Sequence, residues 1–391
     1  MTKKWDLIPI SQIARKVSRP ESVDGSKVYR LLGAHWYAKG LYVKGEKLGT
    51  EIRASKLFAV KPGDFVYNRL FAWKGSFAVA REEHEGCFVS NEFPCFELDR
   101  KRVSPKFLWF YFSRESAWLE ALGLSSGSTP TSRNRLKEEQ FLQMQIPLPS
   151  LEEQRRIVAR IEELAALIEE AQGLRAQARE EAEALRLSAL NEVFSRLSTE
   201  NVERWPLSDT ELCHLVPGQH IMSKDYNTNG EGTPYITGPA DFGAKSPEIS
   251  KWTTNPKSFS EPGDVLVTVK GAGVGKINCA PDFPLCIGRQ VMALRPKGER
   301  LIRDYLYYFL MNNYDYFQDV ARSTTVPGLK REHIWDMEIL LPPVAEQRRI
   351  VAYLDDLQAQ VDELIALQEA TQAELDALLP SVLDRAFRGE L

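Results

Sequence analysis

Residues 136–198 and 329–391 are two copies of one segment, aligned without a gap at a spacing of 193. The run LEEQRRIVARIEEL (151–164) returns as VAEQRRIVAYLDDL (344–357), each after an apolar, proline-bearing lead-in at 146–150 and 339–343. The copies also end alike, because Leu190 and Phe194 answer Leu383 and Phe387, while Leu197 answers Glu390. Upstream the likeness is looser. Trp5 and Trp205 open similar stretches, KPGDFVYNR (61–69) reappears as EPGDVLVTV (261–269), and aromatic runs recur at 107–111 and 305–309. A duplication that diverges in its first half and holds in its second implies two versions of one variable module on a shared scaffold.

The held segments read as long helices. Apolar or small residues run Ile157, Ile161, Leu164, Ile168, Ala171, then Ala178, Ala182, Leu185, Ala189, and in the second copy Leu354, Leu357, Val361, Leu364, continuing to Val382. Steps of three and four define a coiled-coil seam, with paired glutamates such as Glu162–Glu163 and Glu180–Glu181 on the solvated face. Pro149 and Pro342 stop any preceding element, Ser150 is a helix cap, and Glu152, Glu153 and Glu346 favour the positive end of the helix dipole. Gly173 weakens the first helix by about 1 kcal/mol, and Pro380 is expected to kink or break the second. An isolated amphipathic helix needs a partner, and the other copy is the simplest one. The expected fold class is therefore α+β: two mixed α/β domains related by pseudo-two-fold symmetry, separated by two long antiparallel coiled-coil helices. The boundaries expected are 1–148 and 199–341 for the domains, 149–198 and 342–391 for the helices.

In the diverged modules, 63–71 and 263–271 carry the β-branched and aromatic content of buried strands entered by a Pro-Gly turn. Further strands and one packing helix are expected among FAVAREE, CFVSNEF, CIGRQVMALRP and FLWFYF. No run approaches the roughly 18 apolar residues of a membrane span, and the first ten residues lack the apolar stretch of a signal peptide, so a cytoplasmic location without membrane association is expected. Five cysteines without a C-x-x-C read as reduced, buried thiols. Charge informs only by segment: residues 1–142 hold 24 Lys and Arg against 16 Asp and Glu, whereas 344–391 hold 4 against 10. A polyanion would meet its stronger electrostatic footprint on the first module.

Chemistry is mostly excluded. GAGVGK (271–276) lacks the leading glycine and the Ser or Thr of a phosphate-binding loop, and its third dinucleotide glycine is Lys276; it reads as a glycine hairpin that approaches a backbone closely. The five histidines are scattered, so neither a metal site nor a cofactor is expected. There is no nucleophile elbow, no S-adenosylmethionine loop and no base-gripping Asn-Pro-Pro-aromatic tetrapeptide. A binding role is favoured over an enzymatic one.

With these residues in view, the chain resembles the specificity subunit of a type I restriction-modification system. The likeness rests on IPLPSLEEQRRIV (146–158), LLPPVAEQRRIV (340–351), the terminal AFRGEL (386–391), the Pro-Gly-Asp strands and the STP and STT stretches (128–130, 323–325). VFSRLS at 193–198 departs from the terminal signature, in keeping with a connected helix end. The resemblance implies two target-recognition domains that each read half of a bipartite DNA site, with the helices as a ruler for the spacer. It implies no catalysis by this chain, and as partners double-stranded DNA, two S-adenosylmethionine-dependent methyltransferase subunits and ATP-dependent restriction or motor subunits. Two modules on a rigid helical pair can meet major-groove faces about 34 Å apart.

Base contacts need Arg, Lys, Asn, Gln or hydroxyl side chains on loops. The candidates are Arg69, Lys74, Asn91, Arg133 and Asn134 in the first module and Lys270, Lys276, Arg289, Gln290 and Thr324 in the second. Tyr67, Trp73 and Tyr235 are stacking candidates for which core packing is the alternative. The repeated surfaces Glu153, Gln154, Arg155, Arg156 and Glu346, Gln347, Arg348, Arg349 are candidates for docking two partners, against intrahelical capping and packing. A stand-alone tandem sequence-specific DNA-binding protein is the rival reading; a coiled-coil adaptor would leave the aromatic-rich modules without a role.

Overall fold

The computed structural model describes residues 5–127, 134–271, 273–322 and 328–391. The chain divides into two compact units, Met1–Arg175 with Glu369–Leu391, and Ala176–Gln368. Each unit therefore holds one diverged module and a stretch of both repeated helical segments.

In the first unit, Leu7–Pro9 pairs antiparallel with Gln145–Pro147. An antiparallel sheet follows the order Ala14–Val17, Cys95–Leu98, Phe65–Tyr67, Phe77–Val79. A five-stranded sheet follows the order Pro20–Ser22, Lys56–Ala59, Cys87–Val89, Val28–Ala34, Leu41–Leu48, with Val28–Ala34 parallel to Cys87–Val89. The second unit repeats this plan. Arg204–Pro206 pairs with Glu338–Leu340. Its four-stranded sheet runs Cys213–Pro217, Val291–Pro296, Val265–Thr268, Ile277–Cys279; its five-stranded sheet runs Tyr226–Asn227, Trp252–Thr253, Thr233–Ile236, Leu285–Ile287, Phe259–Ser260.

The Pro-Gly-Asp turns explain why the central strands start where they do. Gly63 and Gly263 adopt φ of +86° and +92°, a left-handed geometry that suits a residue without a Cβ. The next residue, Asp64 or Asp264, is buried, and its carboxylate accepts the backbone N–H of Lys61 or Glu261. An arginine neutralises each carboxylate, from the connection after Ala14–Val17 in the first unit and from the strand Val291–Pro296 in the second. Arg19 donates to Asp64 at 2.6 Å, whereas Arg295 donates to Asp264 at 2.8 Å, and the position matching Arg295 in the first unit is Glu97. The hydrogen bonds to these carboxylates push both arginines above their ordinary pKa.

Packing differs on the common plan. The first core is aromatic: Phe77 lies 4.5 Å from Phe112, and Phe141 lies 4.8 Å from both Tyr67 and Phe96. In the second core Val265 and Val267 stand where the first has Phe65 and Tyr67. FLWFYF forms a helix, Pro105–Tyr111, with proline in its first turn and Phe107, Leu108, Phe110 and Tyr111 buried. The five cysteines are buried free thiols, and burial raises Cys95 and Cys213 to about 12 and Cys279 to about 11. Among the described residues no helix is long and apolar enough to cross a membrane.

The first repeated segment is one helix, Leu151–Thr199, of 49 residues, roughly 74 Å long. The second forms Val344–Ala370 and Gln372–Phe387. Its interruption lies at Thr371 and not at Pro380, which sits inside the later helix. Of the kink or break expected at Pro380, the break is thus corrected: the helix continues past the missing N–H there, and at Thr371 the hydroxyl accepts a hydrogen bond from Arg175 at 2.6 Å. In the first unit Gln172 meets Asp376 and Arg156 meets the Leu391 carbonyl, so the two segments run antiparallel. In the second, Arg186 meets Gln358 and Arg196 approaches Glu346 in the same sense. Burial concentrates where helix meets module: Ile157, Val158, Ile161, Leu383, Ala386 and Phe387 join the first core, and Leu190, Val193, Phe194, Leu197, Ile350 and Leu354 join the second. Between them Leu167, Leu174, Leu185 and Leu367 stay exposed, because two helices alone bury only one stripe of each other.

Candidate nucleic-acid interface

The turn leaving the central strand is clamped by the same backbone bonds in both units and differs in side chain. In the first unit Asn68 N–H donates to the Ser76 carbonyl at 3.0 Å, Arg69 N–H to Glu92, and Leu136 N–H to the Arg69 carbonyl. In the second Thr268 N–H donates to Lys276 at 2.9 Å, Val269 N–H to Gln290, and Leu329 N–H to the Val269 carbonyl. Gly75 and Gly275 close the two turns with φ of +72° and +83°. These bonds gather three loops at one place in each unit, and make Asn91 and Arg289 counterparts.

The side chains on that frame diverge. Arg69 donates twice to Glu138 and once to the Asn91 carbonyl. Burial works to raise the Glu138 carboxyl, but hydrogen bonds from Arg69 and Lys16 outweigh it and hold the group at about 2. Lys74 lies 3.8 Å from the Trp36 ring centroid, a cation–π contact. In the second unit Arg289, Lys270 and Lys276 are exposed. Gln290 packs so closely over Gly238 that a Cβ there would stand 2.1 Å from its Oε1. The GAGVGK hairpin packs the same way, with a Cβ on Gly273 falling 2.4 Å from Pro239. The close backbone approach that the glycines permit is thus to this protein's own loop.

The repeated helix starts carry a second matched constellation. Gln154 is fully buried; its amide N–H groups donate to the Arg102 and Pro149 carbonyls, and its Oε1 accepts the Ser104 N–H at 2.8 Å. Gln347 is fully buried too, donating to the Arg300 and Pro342 carbonyls and accepting the Ile302 N–H at 3.1 Å. Next to each glutamine, Arg156 pairs with Glu153 and Arg349 with Glu346. Hydrogen bonding to its partner raises each arginine and, from Arg349, lowers Glu346. Concavities of about 460 and 430 Å³ lie beside Pro149–Ser150 and Pro342–Pro343.

The model of the type I restriction modification DNA specificity domain matches residues 37–179 and again 208–375. The chain belongs to this family. Among solved structures, the chain is similar to a chain from a study of complex assembly and conformational transition of the type I restriction-modification system, at 31% identity over all of both chains with a TM-score of 0.80. It is also similar to the HsdS subunit from Thermoanaerobacter tengcongensis, at 29% identity over 99% of this chain and 97% of that one, with a TM-score of 0.70. A putative type I restriction enzyme MjaX specificity subunit from Methanocaldococcus jannaschii is 24% identical over 278 residues, 66% of this chain. That match spans 62% of the relative's own length, and the match to the EcoBI specificity subunit of Escherichia coli spans 39%.

Within this specificity-domain frame the candidate residues fall into groups. Asn91 lies on the loop clamped to the turn that carries Lys74 in the first unit, and Arg289 and Gln290 on the loop clamped to the turn that carries Lys270 and Lys276 in the second. Arg133 and Thr324, with the STP and STT stretches, lie outside the described residues. The fold commits several candidates to contacts of its own. Arg69 has its guanidinium on Glu138 and the Asn91 carbonyl, so it braces the loops. Asn134 is 8% exposed and presents no side chain to a ligand. Gln154 and Gln347 cannot contribute to a docking surface because both are fully buried and saturate backbone groups. Tyr67 and Tyr235 are core residues. Sequence reasoning did not single out His35, Trp36, Tyr37 and Tyr42, although three adjacent ring side chains followed by Lys39 between Gly33 and Gly40 are a readable signal.

Proposed function

We propose that this chain is the DNA sequence-recognition subunit of a type I restriction-modification complex. Each unit reads one half of a bipartite site, with the recognition domains at 1–148 and 199–341 and the repeated helices at 149–198 and 342–391. The observation that carries this is the pairing of an unchanged backbone frame with changed side chains: one scaffold presents Lys74 and Asn91 in one unit and Lys270, Lys276, Arg289 and Gln290 in the other. Two half-sites of unrelated sequence require that arrangement.

The helices set the spacer. They also dock two S-adenosylmethionine-dependent methyltransferase subunits, through Glu153, Arg155 and Arg156 at one place and Glu346, Arg348 and Arg349 at its counterpart. The same Glu–Arg pair at both helix starts, and the exposure of Arg155 and Arg348, support two equivalent docking places. ATP-dependent restriction subunits then complete the assembly around a chain that contributes no reacting group.

Methylation mapping of genomic DNA, in cells making this chain with its neighbouring methyltransferase and in cells lacking only this chain, tests the proposal. Methyladenine at a split motif only when the chain is present is the expected result; no chain-dependent motif would reject it. Removing four residues, about 6 Å, from both helices near Gly173 and Ala366 should shorten the preferred spacer by one or two base pairs. An unchanged spacer would sink the ruler. Replacing Arg289 should relax one half-site by about 1–3 kcal/mol if it reads guanine, whereas uniform weakening would make it a phosphate contact.

A further inference from the structure

The first unit carries a feature that the second lacks. Between Val28–Ala34 and Leu41–Leu48 the chain forms a long hairpin whose connection, residues 35–40, exposes His35, Trp36, Tyr37 and Lys39. At the corresponding place in the second unit, after Thr233–Ile236, the chain folds into a tight turn, Pro239–Asp241. Buried Asp241 accepts from Thr237 N–H and hydroxyl and pairs with Lys251.

The hairpin tip is held in an unusual conformation. Tyr37 and Ala38 have φ of +59° and +52°, the only described residues other than glycine with positive φ. Left-handed backbone in such residues is costly and persists where the surroundings over-determine it, commonly at ligand clamps. The surroundings here are explicit. Tyr37 N–H donates to the Lys74 carbonyl and Ala38 N–H to the Gly75 carbonyl, both at 2.7 Å, and the Trp109 indole donates to Ala38 at 3.1 Å. The tip is thus tied to the same turn, 68–76, that the repeat uses as its recognition frame.

Behind the tip lies a hollow of about 660 Å³ lined by His35, Trp36, Tyr37, Tyr42, Phe71 and Phe93, with Lys39 and Lys44 among its walls. Tyr42 lies across Gly33, where a Cβ would stand 2.5 Å from the ring, and its ring centroid is 4.3 Å from that of His35. Trp36 and Tyr37 remain 41% and 57% exposed despite these ties. Exposed aromatics held rigid beside lysines lose little conformational freedom when they engage a ligand. The basic balance of residues 1–142, 24 positive against 16 negative side chains, supplies the matching charge for a polyanion.

We propose that this hollow seats one strand of the first unit's DNA half-site, with Lys39 and Lys44 on its phosphates and Trp36 and Tyr37 reading base edges by apolar contact. The proposal rests on the DNA-recognition reading above. It assigns the two units different chemistries: aromatic contact with features such as the thymine methyl in the first, and charged or amide hydrogen bonding through Arg289 and Gln290 in the second.

The test uses the full chain assembled with its methyltransferase, and reads methylated motifs by sequencing. Trp36→Ala and Tyr37→Ala should each relax preference within one half-site by about tenfold, leaving the other half-site and the spacer unchanged. Arg289→Ala should relax the opposite half. An unchanged motif, or equal loss across both halves in a complex that melts like the parent, overturns the assignment. Trp36→Gln and Tyr37→Asn, which remove the rings and, at residue 37, suit the left-handed backbone, serve if the alanine variants do not fold, with the same two outcomes. The double substitution of Lys39 and Lys44 by Gln should weaken binding to all duplexes alike and flatten the salt dependence by about two units of slope; an unaltered slope removes the phosphate role. Absence of any split motif with the unaltered chain would be a failure of the recognition reading itself, separable from these outcomes.

Discussion

The turn at residues 68–76 and the turn at 268–276 have the same length, the same left-handed glycine and the same backbone clamps, yet share little side-chain chemistry. The first is stuffed with Phe71, Trp73 and Lys74; the second has three glycines and two lysines, Lys270 and Lys276. The difference teaches where duplication is constrained. Main-chain hydrogen bonds clamp the loop, helped only by the first side chain, Asn68 on the Leu70 N–H or Thr268 on Gly273 and Lys276, so the later side chains are free to take on separate tasks.

The hardest test of the shared frame is to remove a glutamine at a helix start. Gln154→Ala and Gln347→Ala should each cost about 2–4 kcal/mol, because three buried backbone groups lose their partner. Urea unfolding should give similar losses for both, and one silent substitution would break the equivalence. Next come the turn glycines. Gly75→Ala should destabilise more than Gly275→Ala, by about 1–3 kcal/mol against 1–2, since an added Cβ would stand 2.4 Å from Trp118 in one and 2.9 Å from Phe317 in the other, on top of the left-handed penalty both share. Equal losses would mean that the penalty is backbone strain alone.

Acid should separate the units. Glu138, held at about 2 in the folded state, lies below the ordinary carboxyl value of about 4.3, so its stabilising contribution is complete above that value and disappears as pH falls through about 2. The matching position in the second unit is Arg331, which lies over Trp335. Glu138→Gln should therefore flatten the acid sensitivity of the first unit between about pH 5 and 2 and leave the second unchanged. Unfolding followed unit by unit checks this. The smallest effect is at Gly173, which has open space around its Cα: Gly173→Ala should stabilise the long helix by up to about 1 kcal/mol.

Local signals account for what the sequence disclosed. The three-four spacing and proline lead-ins marked both helical segments, and the Pro-Gly-Asp runs marked the central strands, because each depends on neighbours close in the chain. Sheet order depends on pairing across more than fifty residues and was not legible. The strand Leu41–Leu48 carries no apolar alternation, being an edge strand exposed along nearly its whole length, so the hairpin escaped notice and took His35, Trp36 and Tyr37 with it. Gln154, Gln347 and Asn134 were misplaced for the opposite reason. A polar side chain reads as surface, but an amide is also what a buried cluster of carbonyls and N–H groups requires. The clue was positional: both glutamines stand five residues after a proline that ends the lead-in. The break that Pro380 offered fell at Thr371 instead, because a helix interrupted once can carry the proline within its later stretch.

One property of the helix starts reaches beyond stability. Gln154 and Gln347 grip Arg102, Ser104, Arg300 and Ile302 by their main-chain atoms alone, which every amino acid but proline supplies in full. The junction is thus part socket and part fitted seat: the main-chain grip takes any head, while Phe107 against Phe387 and Tyr305 against Phe194 admit only one that keeps these rings.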